Sequence, residues 1–307
     1  MAMRPMLATA TTDVPVGDDW RHEVKWDGIR ILLDATDSVR MFSRNGNVVT
    51  AAWPDVAAHP FEGRDLLLDG EIIALNDRGV PDFRVLQHRM HVRKATEVER
   101  LVSTVPVTYM VFDLLRLDGE DLTGLPLSER RDRLEGLGLG ATHWQVPATY
   151  DDGAMLLEAT LQQGLEGVVS KRVTSQYRFD QRSKEWLKKA HRHRGSFVVG
   201  GWRPQEGTKD RLAALLVGEV TPDGLMYRGR VGSGIAGAKA RMLQELLTPS
   251  ARDDSPFADE VPRVDAAGTF WVDPLVVVDI DTHGLGYERL RQPSYQGIRT
   301  DLSPEDL

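Results

Sequence analysis

The stretch His22-Glu23-Val24-Lys25-Trp26-Asp27-Gly28-Ile29-Arg30 sets a lysine inside a β-forming run and closes it with Asp-Gly. Read as one strand, the run extends from Glu23 to Leu33 and carries Lys25 up to a tight turn. By itself Lys-x-Asp-Gly describes an ordinary strand lysine, so its meaning depends on its company. Later segments supply an acid after a strand in Leu68-Asp69-Gly70-Glu71 and a second in Glu166-Gly167-Val168-Val169-Ser170-Lys171, followed by Trp186-Leu187-Lys188. A lysine amine is protonated at neutral pH, its usual pKa being about 10.4. Nearby cations and partial burial lower that value, and a lowered pKa is the usual activation of a lysine nucleophile. Lys171, Lys188 and Arg30 are the candidate cations, and Asp27-Gly28 is expected to let the backbone approach a ligand closely.

Outward from this stretch, Leu66 to Leu75, Val107 to Leu117 and Gly167 to Arg172 read as further strands, bounded by Asp-Gly or Gly turns. Helical spacing predicts Asp82 to Met90 with Phe83, Leu86 and Met90 on one face. It also predicts a helix capped by Ser128 through Leu137. A third is capped by Asp151 or Asp152, with Met155, Leu156, Ala159 and Leu161 buried and Gly164 past its end. Strands and helices mix without regular alternation, so the class is α+β. After a boundary at Ala190 to Gly195 the pattern turns to strands: Phe197 to Trp202, Leu212 to Val220, Leu225 to Val231 and Phe270 to Ile280. Thr221-Pro222-Asp223-Gly224 signals a hairpin, and one helix runs from Ala238 to Leu247, before Pro249. Several strands with one helix suit a small OB-type barrel. Thr248 to Asp265 reads as a polar surface loop or linker.

At 307 residues two domains are expected, 1–193 and 194–307. Apolar residues at 41% and charged residues at 27% are ordinary for a globular protein. No run reaches the roughly 18 apolar residues of a membrane helix. The N-terminus has no apolar signal core, so a cytoplasmic place is expected. Zero cysteines exclude disulfides, thiolate nucleophiles and Cys-ligated zinc. A formal charge of −8 argues against a surface that grips nucleic acid all over, but not against a local basic track. Lys184 to Arg194 is such a track, expected to face a polyanion with Trp186 and Leu187 packed on its other side.

On these motifs the chain resembles the ATP-dependent DNA ligases of the covalent nucleotidyltransferase superfamily, most nearly the ligase domain of bacterial end-joining ligases D and C. The resemblance also takes in Arg4-Pro5-Met6-Leu7-Ala8-Thr9, Ser43-Arg44-Asn45-Gly46, Phe112-Asp113-Leu114-Leu115-Arg116-Leu117-Asp118-Gly119 and Leu290 to Asp301, nearly the whole chain. It implies an adenylation domain of antiparallel sheets with flanking helices, then an OB-fold barrel. It implies that Lys25 takes AMP from ATP, that Glu23 helps hold the adenine and that Phe112 stacks on it. Glu71 would contact the ribose, and Arg30 and Arg44 the AMP phosphate and later the 5′-phosphate. Arg182, Lys171 and Lys188 would neutralise the α-phosphate. Glu166, with Glu71, would hold Mg2+ or Mn2+. Arg299 and Asp301 would orient the departing pyrophosphate, the second domain closing first over ATP and then swinging to DNA.

The implied substrate is nicked or broken double-stranded DNA, handled by a nucleoid-associated monomer, with Ku and a repair polymerase as partners and no membrane. A chain of this length is expected to lack the N-terminal DNA-binding domain of larger ligases and to bind DNA modestly and salt-sensitively. Two positions depart from the pattern: Ala190 stands where relatives carry the second lysine of Trp-x-Lys-x-Lys, and Leu302 follows Asp301 where a lysine is common. Slower self-adenylation is expected, with Lys189 on the wrong face to substitute. Three other readings compete. Gly232-Ser233-Gly234-Ile235-Ala236-Gly237 has dinucleotide-binding spacing, but its preceding strand belongs to a hairpin. An RNA ligase or capping-type guanylyltransferase shares Lys-x-Asp-Gly chemistry. A nucleic-acid-binding module without catalysis would not need Lys25, Glu71, Glu166, Lys171 and Lys188 together.

Overall fold

The Lys25 stretch is the passage between two strands rather than one continuous strand. Trp20–Val24 ends one strand and Ile29–Ala35 begins the next, and the two belong to different sheets. The computed structural model describes residues 3–36, 38–58, 63–90, 92, 94–208, 211–284 and 287–307. These form two compact units, Met1–Ala190 and His191–Leu307.

In the first unit, one sheet has four strands in the order Leu7–Ala10, Arg182–Ala190, Gly167–Arg172, Trp20–Val24. The other is built on Val39–Ser43, Ile29–Ala35, Leu66–Ile73 and Thr108–Leu117, all antiparallel. The chain crosses between them at Lys25 to Gly28. A Cβ on Gly28 would collide with the carbonyl oxygen of Ile72 and crowd the Glu71 side chain. The neighbouring strand by itself requires the glycine, which also lines the cavity between the sheets.

A large apolar core lies on one side of the second sheet, with Ile31, Leu33, Leu68, Tyr109, Val111 and Trp53. A smaller one, including Met6, Leu32, Leu67, Phe112, Tyr177 and Trp186, joins the two sheets. Buried ion pairs brace this joint. Arg130 bonds both oxygens of Asp113 at 2.8 Å with both side chains fully buried. Charges taken out of water must be paired and bonded in this way.

Helices flank the sheets. Asp82 caps Phe83–Gln87 through Arg84 N, and Asp152 caps Gly153–Gln162 through Met155 N. Two expectations are corrected and one helix is new. The helix near Ser128 is Leu127–Gly136, entered from Pro126, so Ser128 lies inside its first turn. Met155 and Leu161 are exposed, and Gly153, Leu156 and Thr160 face inward instead. Ala95–Thr104 is a helix that the pattern reading passed over.

The second unit is an antiparallel sheet of the OB type in the order Gly224–Val231, Leu212–Thr221, His193–Pro204, Phe270–Val272, Ala251–Arg252. His193–Pro204 also pairs with Val277–Thr282, which pairs with Ser294–Arg299. The hairpin closes with Thr221 opposite Gly224. The Phe270 to Ile280 run is two strands, and the Thr248 to Asp265 segment buries Phe257. Gly234, with φ +82°, lies so near Tyr295 that a Cβ would strike its carbonyl. The preceding strand is antiparallel to its neighbour, so no dinucleotide-binding βαβ unit surrounds these glycines.

Candidate active site

Strand register aligns the side chains before any ligand is considered. Glu23 and Lys188 both lie opposite Val169, Lys171 lies opposite Trp186, and Arg30 lies opposite Glu71. Directly opposed residues share a face of the sheet. The two sheet faces enclose a cavity of about 350 Å³ within the first unit. Glu23, Lys25, Arg30, Arg44, Glu71, Phe112, Lys171, Arg182, Trp186 and Lys188 line it. Trp186 and Lys188 point one way and Leu187 and Lys189 the other, so Trp186 and Leu187 do not pack on one side as expected. Trp186 is buried, and Lys189 Nζ donates to Thr12 O at 2.6 Å, outside the cavity.

One end of the cavity is cationic. Lys25 Nζ lies 2.5 Å from Glu166 Oε2, while the Lys25 backbone N–H donates to Gly167 O at 2.8 Å. Gly167 has φ +142°, and a Cβ there would collide with Lys189 O. Burial pushes the Lys188 ammonium below its ordinary pKa; Lys25, Arg44 and Arg182 push the same way and Glu166 opposes them. Arg44 is exposed on the Ser43 to Gly46 turn, and Arg182 donates to Ala8 O at 2.5 Å.

In the middle stands Glu71. Burial pushes its carboxyl up to about 8; Arg30 and Lys25 oppose this, and Glu166 and Asp69 add to it. Two acids close enough to repel each other suit a divalent cation. Among the described residues no cluster of three metal-binding side chains occurs. If a divalent cation binds with ATP, Glu71 and Glu166 are the carboxylates that would meet it, phosphate and water completing its oxygen ligands.

The other end is aromatic. Lys171 is 2% exposed, bonded to Glu23 Oε2 at 2.7 Å, and held 4.2 Å and 4.4 Å from the ring centres of Phe112 and Trp186. The resemblance implies a phosphate-neutralising role for Lys171, yet its Nζ is engaged by Glu23. Arg30 is likewise committed: Nε and Nη2 grip the fully buried Asp69 at 2.5 Å and 2.6 Å, and the guanidinium lies 4.6 Å from the Phe112 ring. Only Nη1 makes no bond to a described residue, so a phosphate would meet one corner of Arg30 rather than its fork.

Arg299 and Asp301 are on the second unit and pair with each other through two bonds, 2.8 Å and 2.7 Å. Reading the sequence missed Trp26, Phe83 and Met90, which also line the cavity. Trp26 Nε1 is buried with no partner among the described residues. It also missed Tyr177, whose hydroxyl donates to Asp69 at 2.6 Å and accepts from Met6 N at 3.0 Å. Trp26 is the neighbour of Lys25 in the opening stretch, whereas Phe83, Met90 and Tyr177 come from other segments that no local pattern marks.

Residues 5–189 match the ATP dependent DNA ligase domain, and residues 208–302 the ATP dependent DNA ligase C terminal region. The chain is 37% identical over 312 residues to the multifunctional non-homologous end joining DNA repair protein LigD of Mycobacterium tuberculosis, covering 99% of this chain and 39% of that protein. DNA ligase C of the same organism is 35% identical over 272 residues, covering 82% of this chain and 73% of that protein. A solved mycobacterial DNA ligase D complexed with ATP and MES superposes with a TM-score of 0.58 at 36% identity, covering 99% of this chain and 97% of that one.

Proposed function

This chain belongs to the ATP-dependent DNA ligase family, and on that premise we propose that it seals DNA breaks between a 3′-hydroxyl and a 5′-phosphate with ATP as adenylyl donor. In the first step Lys25 Nζ attacks the α-phosphorus. The N–P bond forms as the bond to the bridging oxygen breaks, and pyrophosphate leaves with the electron pair. The proton that Nζ must shed has Glu166 Oε2 within reach, at 2.5 Å. AMP then passes to the DNA 5′-phosphate, and the 3′-hydroxyl displaces it to close the backbone.

Such transfers need positioning and charge more than acid–base groups. Lys188, Arg44 and Arg182 would meet the α-phosphate, Glu71 the ribose, and Glu23 and Phe112 the adenine. Glu71 and Glu166 would hold Mg2+ or Mn2+, which supplies positive charge to the phosphates. Arg299 and Asp301 remain the residues proposed for pyrophosphate departure. The 3′ and 5′ ends of broken double-stranded DNA are the proposed substrate, with Ku and a repair polymerase as proposed partners of a monomer acting at the nucleoid. Among the described residues no helix is long and apolar enough to cross a membrane.

The observation that carries this reading is Lys25 paired to Glu166 in a cavity that Arg30, Arg44, Lys171, Arg182 and Lys188 also line. Incubation with ATP, Mg2+ and end-labelled nicked DNA should give sealed product, which Lys25→Ala should abolish. Sealing that survives the substitution would remove Lys25 from the chemistry, whereas a covalent label from GTP in place of ATP would favour the capping-type reading, which the family matches do not support.

A further inference from the structure

We propose that Ser196 and Asp279 are positioning residues for Arg299: they fix one nitrogen of its guanidinium, so that its charge meets the departing pyrophosphate in a set orientation. The proposal rests on the reading of Arg299 as a residue for pyrophosphate departure and deepens it.

Strand register brings the three together on one face of the second unit. Ser196 lies opposite Asp279, Val277 opposite Arg299, and Asp279 opposite Gly297. Arg299 is therefore the diagonal neighbour of Asp279, within reach of a long side chain. Val278 and Ile280, which flank Asp279 in sequence, turn into the core of the unit. The polar side chains gather on the other face, where that of Asp279 is still only 17% exposed.

The Ser196 hydroxyl gives the contact its direction. It donates to Asp279 Oδ1 at 2.8 Å, which leaves its lone pairs to accept, and Arg299 Nη1 donates to it at 3.2 Å. Nη1 also reaches Asp279 Oδ1 at 3.4 Å. Asp301 takes Nε and Nη2 on the other edge at 2.8 Å and 2.7 Å. Asp301 is 64% exposed and only two residues along the chain, so alone it would let the pair swing as a unit. Ser196 and Asp279 tie that unit to two further strands, which holds the planar fork at both edges. Nη2 carries a second N–H with no acceptor among the described residues, and this is the one left for a phosphate oxygen. The neighbouring Arg194–Asp281 pair shows the contrast: Arg194 is 57% exposed, an ordinary surface pair of little weight.

The test measures three rates on the full chain: lysyl-AMP formation from ATP, its reversal by pyrophosphate, and sealing of a nick whose 5′ end already carries AMP. Ser196→Ala and Asp279→Ala should each slow lysyl-AMP formation at saturating ATP by about tenfold, the factor expected of one hydrogen bond to a charged group. Reversal should slow as well, since both directions pass through one transition state, while sealing of the pre-adenylylated nick stays close to wild type. Ser196→Thr and Asp279→Asn, which keep the hydroxyl and Oδ1, should recover most of the rate. In an Arg299→Ala background either alanine should cost nothing further, because the group it acts through is gone. A full additional loss in that background would overturn the proposal, as would wild-type rates in both single variants. An equal loss in all three rates would reduce the pair to packing and also overturn it. Should Asp279→Ala not fold, Ser196→Ala carries the same predictions. If Arg299→Ala by itself forms lysyl-AMP at the wild-type rate, the pyrophosphate reading of Arg299 fails instead, a result seen before Ser196 or Asp279 is changed.

Discussion

Lys25 Nζ and Glu166 Oε2 lie 2.5 Å apart, and the Lys25 backbone is bonded to the residue after Glu166. The amine is thus held at both its root and its tip by the start of the Gly167–Arg172 strand. Glu166→Gln keeps the shape but removes the charge that orients Nζ and can take its proton. Lysyl-AMP formation should slow by about a hundredfold or more, read by rapid-quench labelling, with unfolding midpoints little changed.

Gly28 lies where the chain passes between sheets, against the Ile72 carbonyl. Gly28→Ala should cost about 1–3 kcal/mol, the range for overpacking. Chemical denaturation checks this; a variant as stable as wild type would mean that the crossing can relax.

Lys188 gives a pH signature. Its folded pKa is below that of the unfolded chain, so the folded state binds fewer protons in the window between the two values and stability rises with pH there. The cost of keeping Lys188 charged is full below the folded pKa and fades as pH approaches about 10.4. Lys188→Met should therefore be more stable than wild type at pH 7, with the gap closing toward pH 10, while adenylation falls. Thermal unfolding across that range measures it.

Tyr177 ties three segments together through Asp69 and Met6 N. Tyr177→Phe leaves buried polar groups short of a partner and should cost about 1–3 kcal/mol, seen as a lower denaturation midpoint.

Much of this was legible in the sequence because the chemistry is carried by short strings. The strings holding Lys25, Glu71, Glu166 and Lys188 do converge on one cavity, and the strands Leu66–Ile73, Thr108–Leu117 and Gly167–Arg172 lie close to their expected bounds. What could not be read was set by distant contacts. Asp27-Gly28 marks a turn, but nothing within Glu23 to Leu33 shows that its two sides join different sheets; that is set by pairing with Gly167–Arg172 on one side and Leu66–Ile73 on the other. Lys171 looks like a phosphate cation until Glu23, Phe112 and Trp186 are brought around it. Arg30 looks free until Asp69 takes its fork. Helix caps fared by kind: Asp152 bonds the backbone as its chemistry suggests, whereas Ser128 is displaced because Pro126 already begins the turn.

Ala190 lies two residues past Lys188 on the same strand face, where the resemblance implies a second lysine. Ala190→Lys should speed self-adenylation severalfold, as should Leu302→Lys on the second unit. Unchanged rates in both would show that these absences do not limit the step.

The central claim is that the Lys25 amine becomes covalently adenylylated. Peptide mapping by mass spectrometry after incubation with ATP and Mg2+ tests it most directly. The account predicts one adenylyl group on the peptide containing Lys25, released as AMP when pyrophosphate or nicked DNA is added. An unmodified Lys25, or an adenylyl group on another lysine, would contradict it.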